Sequence, residues 1–249
     1  MSNFLKQKFS SFIHSNRTIL YLYYKLFLPK DYSALKDYKF TDERLKFIHL
    51  LEAVNYCRVA LIPQVYFEFG CHSARTFSSV IRAANYFQMD KMKFYAFDSF
   101  EGLPATDVDV DGVFQTGEFN TPVQDFLAKV KKKAGRNLSS EYVIKGYYSD
   151  SLTLELQKKM PKVGIVHIDV DLYSSTRDVL NFLKPLMIVG TLILFDDYYC
   201  FPPDSKKGEM RAILEFCENN PSFQVKEWKA YSTFGQSFFV ISVPAEMNS

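Results

Sequence analysis

Two apolar, β-branched runs each end in a pair of carboxylates: V-G-I-V-H-I-D-V-D from Val163 to Asp171, and T-L-I-L-F-D-D from Thr191 to Asp197. In an open parallel sheet the carboxyl ends of neighbouring strands share one crevice, so acids at the two tips converge there. Clustered carboxylate oxygens suit a hard cation such as Mg²⁺, which binds through a few acids and keeps positions free for water or substrate. The simpler alternative for Asp196-Asp197 alone is one capping acid and one solvated acid, and the presence of Asp169 at the end of the other strand weakens it.

A second constellation lies upstream. V-Y-F-E-F-G-C-H-S-A-R, from Val65 to Arg75, has the position of a nucleotide-binding glycine turn, with Ala74 and Arg75 where further glycine would ease close backbone approach. The next strand-like run, K-F-Y-A-F-D, ends in Asp98, an acid placed to accept the ribose hydroxyls of an adenosyl ligand. Phosphate recognition needs exposed amides at a helix N-terminus, and Glu68 would repel an anion there. An acid at that point fits a cationic or zwitterionic ligand better, such as S-adenosylmethionine. The alternative is a glycine turn with two helix-capping acids. Of the histidines, His72 falls in this turn and is a candidate for ligand contact, whereas His167 lies inside a strand and reads as a packing residue.

The elements that must position these groups follow from periodicity. A helix is expected over Thr41–Ala60, then strand and helix alternate, with strands at Val65–Phe69, 93–100, 141–148, 163–168 and 191–198. Helices are expected over 73–87, 121–134, 177–190 and 210–220. Q-V-K-E-W-K-A-Y and Q-S-F-F-V-I-S-V read as an antiparallel pair that completes the sheet. This alternation predicts an α/β, doubly wound, mostly parallel sheet with one antiparallel edge strand. The expected division is an N-terminal helical appendage over 1–60 and one domain over 61–249.

Bulk composition narrows the function. Of 249 residues 47% are hydrophobic and 23% charged, enough for one compact core, and the net charge of +2 argues against a nucleic-acid partner. The K-V-K-K-K run at Lys129–Lys133 reads as the solvated face of one helix. Four cysteines without C-x-x-C spacing point to a reducing compartment, hence a cytoplasmic expectation. The first thirty residues carry Lys6, Lys8, Arg17, Lys25 and Lys30 with no acid, among aromatic residues at helical spacing. They read as a helical appendage that packs on the domain, covers the site or joins a homo-oligomer; peripheral contact of residues 1–30 with the inner membrane face is the second reading. The apolar run I-L-Y-L-Y-Y is far too short to span a bilayer.

Asp107, Asp109, Asp111, Gly112 and Glu118 match a calcium-loop pattern, but Gly102 and Pro104 make an entering helix improbable. An acidic loop over the acceptor pocket is the competing interpretation.

H-I-D-V-D-L-Y-S-S-T-R-D-V-L, L-I-L-F-D-D-Y, Y-A-F-D-S-F-E-G-L-P and G-Y-Y-S-D-S-L together resemble the macrocin O-methyltransferase family of metal-dependent sugar O-methyltransferases, over roughly residues 60 to 240. The resemblance implies a class I methyltransferase (Rossmann-like) fold, S-adenosylmethionine as donor, Mg²⁺ as cofactor, and a glycan or small-molecule acceptor with vicinal hydroxyls. It implies Asp169, Asp196 and Asp197 as metal ligands, with Asp169 also the catalytic base. It implies a donor pocket built from Glu68, Phe69, Gly70, Ser73, Asp98, Ser99, Phe100, Tyr148, Ser149, Asp150 and Asp169. The chain departs from the family at Ser73-Ala74-Arg75, where glycine is usual. Two rival functions also fit the sequence: a metal-dependent glycosyltransferase using Asp169-Val170-Asp171, and a catalytically inactive methyltransferase fold that serves as a binding protein.

Overall fold

The computed structural model describes residues 30–104, 115–201 and 206–244, with side chains from residue 42 onward. Two compact units divide the chain, Met1–Leu45 and Lys46–Ser249. In the first, the described residues are helical. They open α1 (Lys30–Val59), which begins earlier than the helix expected over 41–60 and ends one residue sooner. The expected helices and membrane contact of the first twenty-nine residues, and Asp107 to Gly112 of the calcium-like pattern, lie outside the described residues.

The second unit is built on a seven-stranded sheet. In chain order it contains β1 (Val65–Phe69), α2 (Arg75–Tyr86), β2 (Lys93–Asp98), α3 (Val123–Ala134), β3 (Val143–Lys145), α4 (Tyr148–Ser151) and α5 (Leu154–Lys159). Then follow β4 (Val163–Ile168), α6 (Tyr173–Leu183), β5 (Met187–Phe195), α7 (Gly208–Asn219), β6 (Gln224–Tyr231) and β7 (Gly235–Ser242). The spatial order is β3-β2-β1-β4-β5-β7-β6. Strands β1 to β5 pair in parallel, and β7 runs antiparallel between β5 and the outer β6. The expected late antiparallel pair is present, and the sheet is the doubly wound, mostly parallel one the alternation predicts.

Alternation along each strand splits the core into two layers. Val65, Phe67 and Phe69 of β1 face one side, with Val179, Leu180 and Leu183 of α6 and Ile213 and Phe216 of α7. Tyr66 faces the other, with Leu50, Val54 and Cys57 of α1, Phe77 and Ile81 of α2, and Phe126 of α3. Burying each large aromatic contributes roughly 2 kcal/mol. Phe67, Phe69 and Phe97 are fully buried, and the rings of Phe69 and Phe97 stack 4.4 Å apart across β1 and β2.

Two boundaries differ from the periodicity. The expected strand over 141–148 is only three residues long, because the chain enters it through a 3₁₀ turn at Ser140–Tyr142 and leaves it at Gly146, which is held to Asp98 O. The expected helix over 177–190 is shifted to Tyr173–Leu183. Pro185 has no N–H to continue it, and M-I-V-G already belongs to β5, whose pairing with β4 contains an irregularity.

Strand order reverses between β1 and β4, so the crevice for a ligand opens at their carboxyl ends. Gly70 makes that junction possible. Its φ is +82°, and a Cβ there would lie 1.7 Å from Asp169 O. Gly70 N donates to Phe97 O and Asp169 N donates to Phe69 O, at 3.0 and 2.9 Å, which ties the three strand tips together.

Candidate active site

A cavity of about 420 Å³ opens at this junction. Gly70 and His72 after β1, Asp98 at the end of β2 and Ser99 after it, Tyr147, Tyr148 and Ser149 after β3, and Asp169 and Asp171 after β4 all line it. Of the residues expected in a donor pocket, Gly70, Asp98, Ser99, Tyr148, Ser149 and Asp169 therefore come together.

The others stand elsewhere. Glu68 points to the α1/α2 side of the sheet, is 1% exposed, and accepts a hydrogen bond from the Tyr66 hydroxyl; alternation carries it there, away from the cavity lining. Burial, which outweighs that hydrogen bond, pushes its carboxyl far above the usual range. Phe69 and Phe100 are buried core residues, the latter packed on Phe126. Ser73 O accepts from Lys133 Nζ at 2.8 Å, so the basic helix α3 braces this turn with one of its lysines. Asp150 is exposed on α4. The region where glycine is usual is left-handed at Ala74, with φ of 56°, and Ala74 is fully buried.

Asp98 organises the turn opposite it. Its Oδ2 accepts from the backbone N–H of Cys71 and His72 at 2.7 and 2.9 Å, and its Oδ1 from Phe100 N at 2.7 Å. A carboxylate has about four lone-pair sites, so one acceptor site remains for a ligand. His72 Nδ1 lies 2.7 Å from Phe119 O and 3.1 Å from Thr121 Oγ1, which pins the stretch bearing Phe119 beside the cavity. Tyr148 donates to Phe97 O and sets its ring edge-on to Phe69.

At the floor of the crevice the carboxylates of Asp169, Asp171 and Asp197 each place an oxygen within 4.8 Å of the other two. A tight turn centred on Asp171, with φ of 58° and Leu172 N bonded to Val170 O, brings its carboxylate back toward that of Asp169. Burial raises the carboxyl of Asp169 well above the ordinary range, and Asp196, Asp197 and Asp171 add to the effect. Burial and then Asp197 push Asp171 up to about 8, and burial and then Asp196 push Asp197 up to about 6. Three acids that resist ionising together form a cluster that a divalent cation would relieve. The donor set fits Mg²⁺.

Asp196 sits apart. Its Oδ2 meets Lys46 Nζ of α1 at 2.5 Å, and its Oδ1 lies 3.8 Å from His167 Nε2. Burial alone would raise the Asp196 carboxyl, but His167 and Lys46 outweigh it and bring it down to about 2. At 3.8 Å the imidazole is beyond hydrogen-bond reach, so the ammonium in direct contact is the firmer partner. Sequence reasoning did not reach Lys46, and it placed Asp171 among the converging strand-end acids and in the metal site of the glycosyltransferase alternative, not in the methyltransferase ligand set. Asp171 was visible in D-V-D, whereas nothing in the sequence around Lys46 signals a partner 150 positions away.

The reversed strand order, the cavity at the tips and the acid pair on β4 and β5 define a class I methyltransferase fold. A sequence profile described as macrocin O-methyltransferase (TylF) matches residues 37–220, and the chain belongs to that family. It is 31% identical over 107 residues to the 8-demethyl-8-(2,3-dimethoxy-alpha-L-rhamnosyl)-tetracenomycin-C 4'-O-methyltransferase of Streptomyces olivaceus, a match spanning 41% of this chain and 40% of that protein. It is 32% identical over 116 residues to demethyldecarbamoylnovobiocin O-methyltransferase of Streptomyces niveus, spanning 43% of this chain and 42% of that protein. The matched stretch is thus less than half the length of either relative. The O-methyltransferase NovP shares the fold, with a TM-score of 0.60 at 19% identity over 80% of both chains. The calicheamicin methyltransferase CalS11 does so with a TM-score of 0.57 at 18% identity, over 94% of this chain and 90% of that one. Methyltransferase family membership leaves no support for the glycosyltransferase alternative. Among the described residues no helix is long and apolar enough to cross a membrane, and all four cysteines are free thiols.

Proposed function

We propose that the protein is an S-adenosylmethionine-dependent O-methyltransferase that modifies one of two adjacent hydroxyls on a sugar, assisted by Mg²⁺ held by Asp169, Asp171 and Asp197. The observation that carries this reading is the mutual approach of those three carboxylates, within 4.8 Å, beside a cavity lined by the tips of β1 to β4. The Streptomyces olivaceus relative is, by its name, a methyltransferase for a rhamnosyl 4' position, which supports a sugar acceptor.

When bound, the donor supplies a sulfonium-activated methyl group and Mg²⁺ supplies Lewis acidity that lowers the pKa of a chelated hydroxyl. The chain's own residues do the rest. Asp98 offers its remaining acceptor site to the donor's ribose, and the Tyr148 ring and Phe119 border the space and keep water from it. Asp169 borders both the cavity and the acid cluster, so it would help to hold the cation and would take the acceptor's proton as general base. Asp196 stays ionised, with its charge matched by Lys46.

The test is a calorimetric titration with S-adenosylmethionine and S-adenosylhomocysteine, followed by methyl transfer from labelled donor to a panel of vicinal-diol sugars with and without EDTA. Binding of both nucleosides and EDTA-sensitive transfer are expected. Absence of any donor binding would leave an inactive fold; transfer that ignores EDTA would remove the metal.

A further inference from the structure

One buried acid is not used by the mechanism above. Glu209, in the first turn of α7, is 1% exposed, although an acid at that position ordinarily points to solvent and serves the helix dipole. Its side chain turns inward instead. Oε2 accepts from Asp197 N at 3.0 Å and Oε1 lies 3.5 Å from Val170 N. The first amide belongs to the loop after β5, the second to the loop after β4. One carboxylate therefore holds both loops that carry the acid cluster, with one oxygen on each.

The helix can approach this closely because residue 208 is glycine. Gly208 has φ of +55°, and a Cβ there would lie 2.7 Å from the ring of Phe201 and 3.8 Å from Asp171 O. The location is costly for an acid: burial and the neighbouring Asp197, Asp196 and Asp171 all oppose its charge. Two converging backbone N–H groups ask for two acceptors, which a carboxylate has. A glutamine presents one oxygen and one NH₂, so one of the two amides would face a donor.

We propose that Glu209 is a positioning residue that sets the spacing between Asp197 and the Asp169/Asp171 pair by bridging their two loops. The inference rests on the metal-assisted reading above. Outer groups that orient metal ligands typically change metal affinity by about 10–100-fold when altered. Loss of the bridge separates the loops and weakens the cation site, while the side of the donor pocket formed after β1, β2 and β3, with Asp98 and Tyr148, keeps its own contacts.

The experiment measures Mn²⁺ binding by electron paramagnetic resonance, S-adenosylhomocysteine binding by calorimetry, and the melting transition, in the wild type and in Glu209→Gln. The expected result is a loss of Mn²⁺ affinity of at least about 10-fold, with nucleoside affinity within about two-fold of wild type and a cooperative transition retained. Unchanged Mn²⁺ affinity in the folded variant overturns the proposal, as does a parallel fall in both affinities, which marks a general packing role. If the wild type itself binds no Mn²⁺, the metal reading fails and carries this inference with it, a result told apart from the others because it needs no variant. Should Glu209→Gln not fold, amide exchange in the metal-free wild type decides: slow exchange at both Val170 and Asp197 supports the bridge, and fast exchange at either overturns it.

Discussion

Lys46 Nζ and the Asp196 carboxylate are 2.5 Å apart, so the first acid of the D-D pair is neutralised by a lysine of α1 while the second faces Asp169 and Asp171. Neighbouring residues at the end of a strand point to opposite sides, and here the two sides have different partners. Asp171→Asn is therefore expected to weaken Mn²⁺ binding by about 10-fold or more, and Asp196→Asn to weaken it less. Calorimetric titration of both variants checks this. The reverse ranking would return Asp196 to the ligand set.

The same pair predicts a stability effect. Lys46→Met leaves a buried carboxylate without its cation, and the Lys46 side chain is 32% exposed, so the loss should fall below that of a fully buried pair, at about 2 kcal/mol. Chemical denaturation of Lys46→Met, Asp196→Asn and the double variant measures it. The double variant should recover part of the loss, because the uncompensated charge is gone; additive losses would show that the two side chains act independently.

Gly70→Ala should be among the most damaging single substitutions in the chain. The new methyl meets Asp169 O at 1.7 Å, and the left-handed φ adds about 1 kcal/mol of its own. Expected outcomes are a destabilisation above roughly 3 kcal/mol and loss of S-adenosylhomocysteine binding, since β1 and β4 must part at the cavity. A variant with wild-type melting and binding would contradict the close contact.

How much of this was legible beforehand depended on the kind of signal. Strand-end acids following β-branched runs are local, so Asp98, Asp169 and Asp197 could be found from the sequence, and the four ordered motifs carried the family. Side-chain direction was not legible: Glu68 looked like a pocket acid because it adjoins Gly70, yet period-two alternation turns it toward Tyr66. The roles of Asp171 and Asp196 depended likewise on a backbone turn at Asp171 and on a lysine in another helix. Glu209 falls just before the helix expected over 210–220, and only packing of α7 under two loops reveals its contacts.

His49 contributes a pH dependence to stability on the acid side. Its ring lies between Trp228 and Tyr231, at centroid distances of 4.8 and 4.3 Å, and is 2% exposed. Burial, reinforced by Lys229 and only partly opposed by Glu52, lowers its pKa from 6.5 to about 4. The unfolded chain thus binds this proton first, so stability is unaffected by His49 above pH 6.5, falls as pH drops from 6.5 toward 4, and levels off below. The full contribution is about 3 kcal/mol. Urea denaturation of the wild type and of His49→Phe isolates it as the difference between the two, because the raised carboxyls of Asp171 and Asp197 titrate with the opposite sign over the same range; a difference that stays constant between pH 6.5 and 4 would contradict the assignment.

The central claim is tested most directly by crystallography with Mn²⁺ and S-adenosylhomocysteine at a wavelength giving manganese anomalous signal. One peak is predicted, about 2.2 Å from carboxylate oxygens of Asp169, Asp171 and Asp197, with the nucleoside against Asp98 and Tyr148. A nucleoside-bound crystal with no anomalous peak between those three carboxylates would contradict the account.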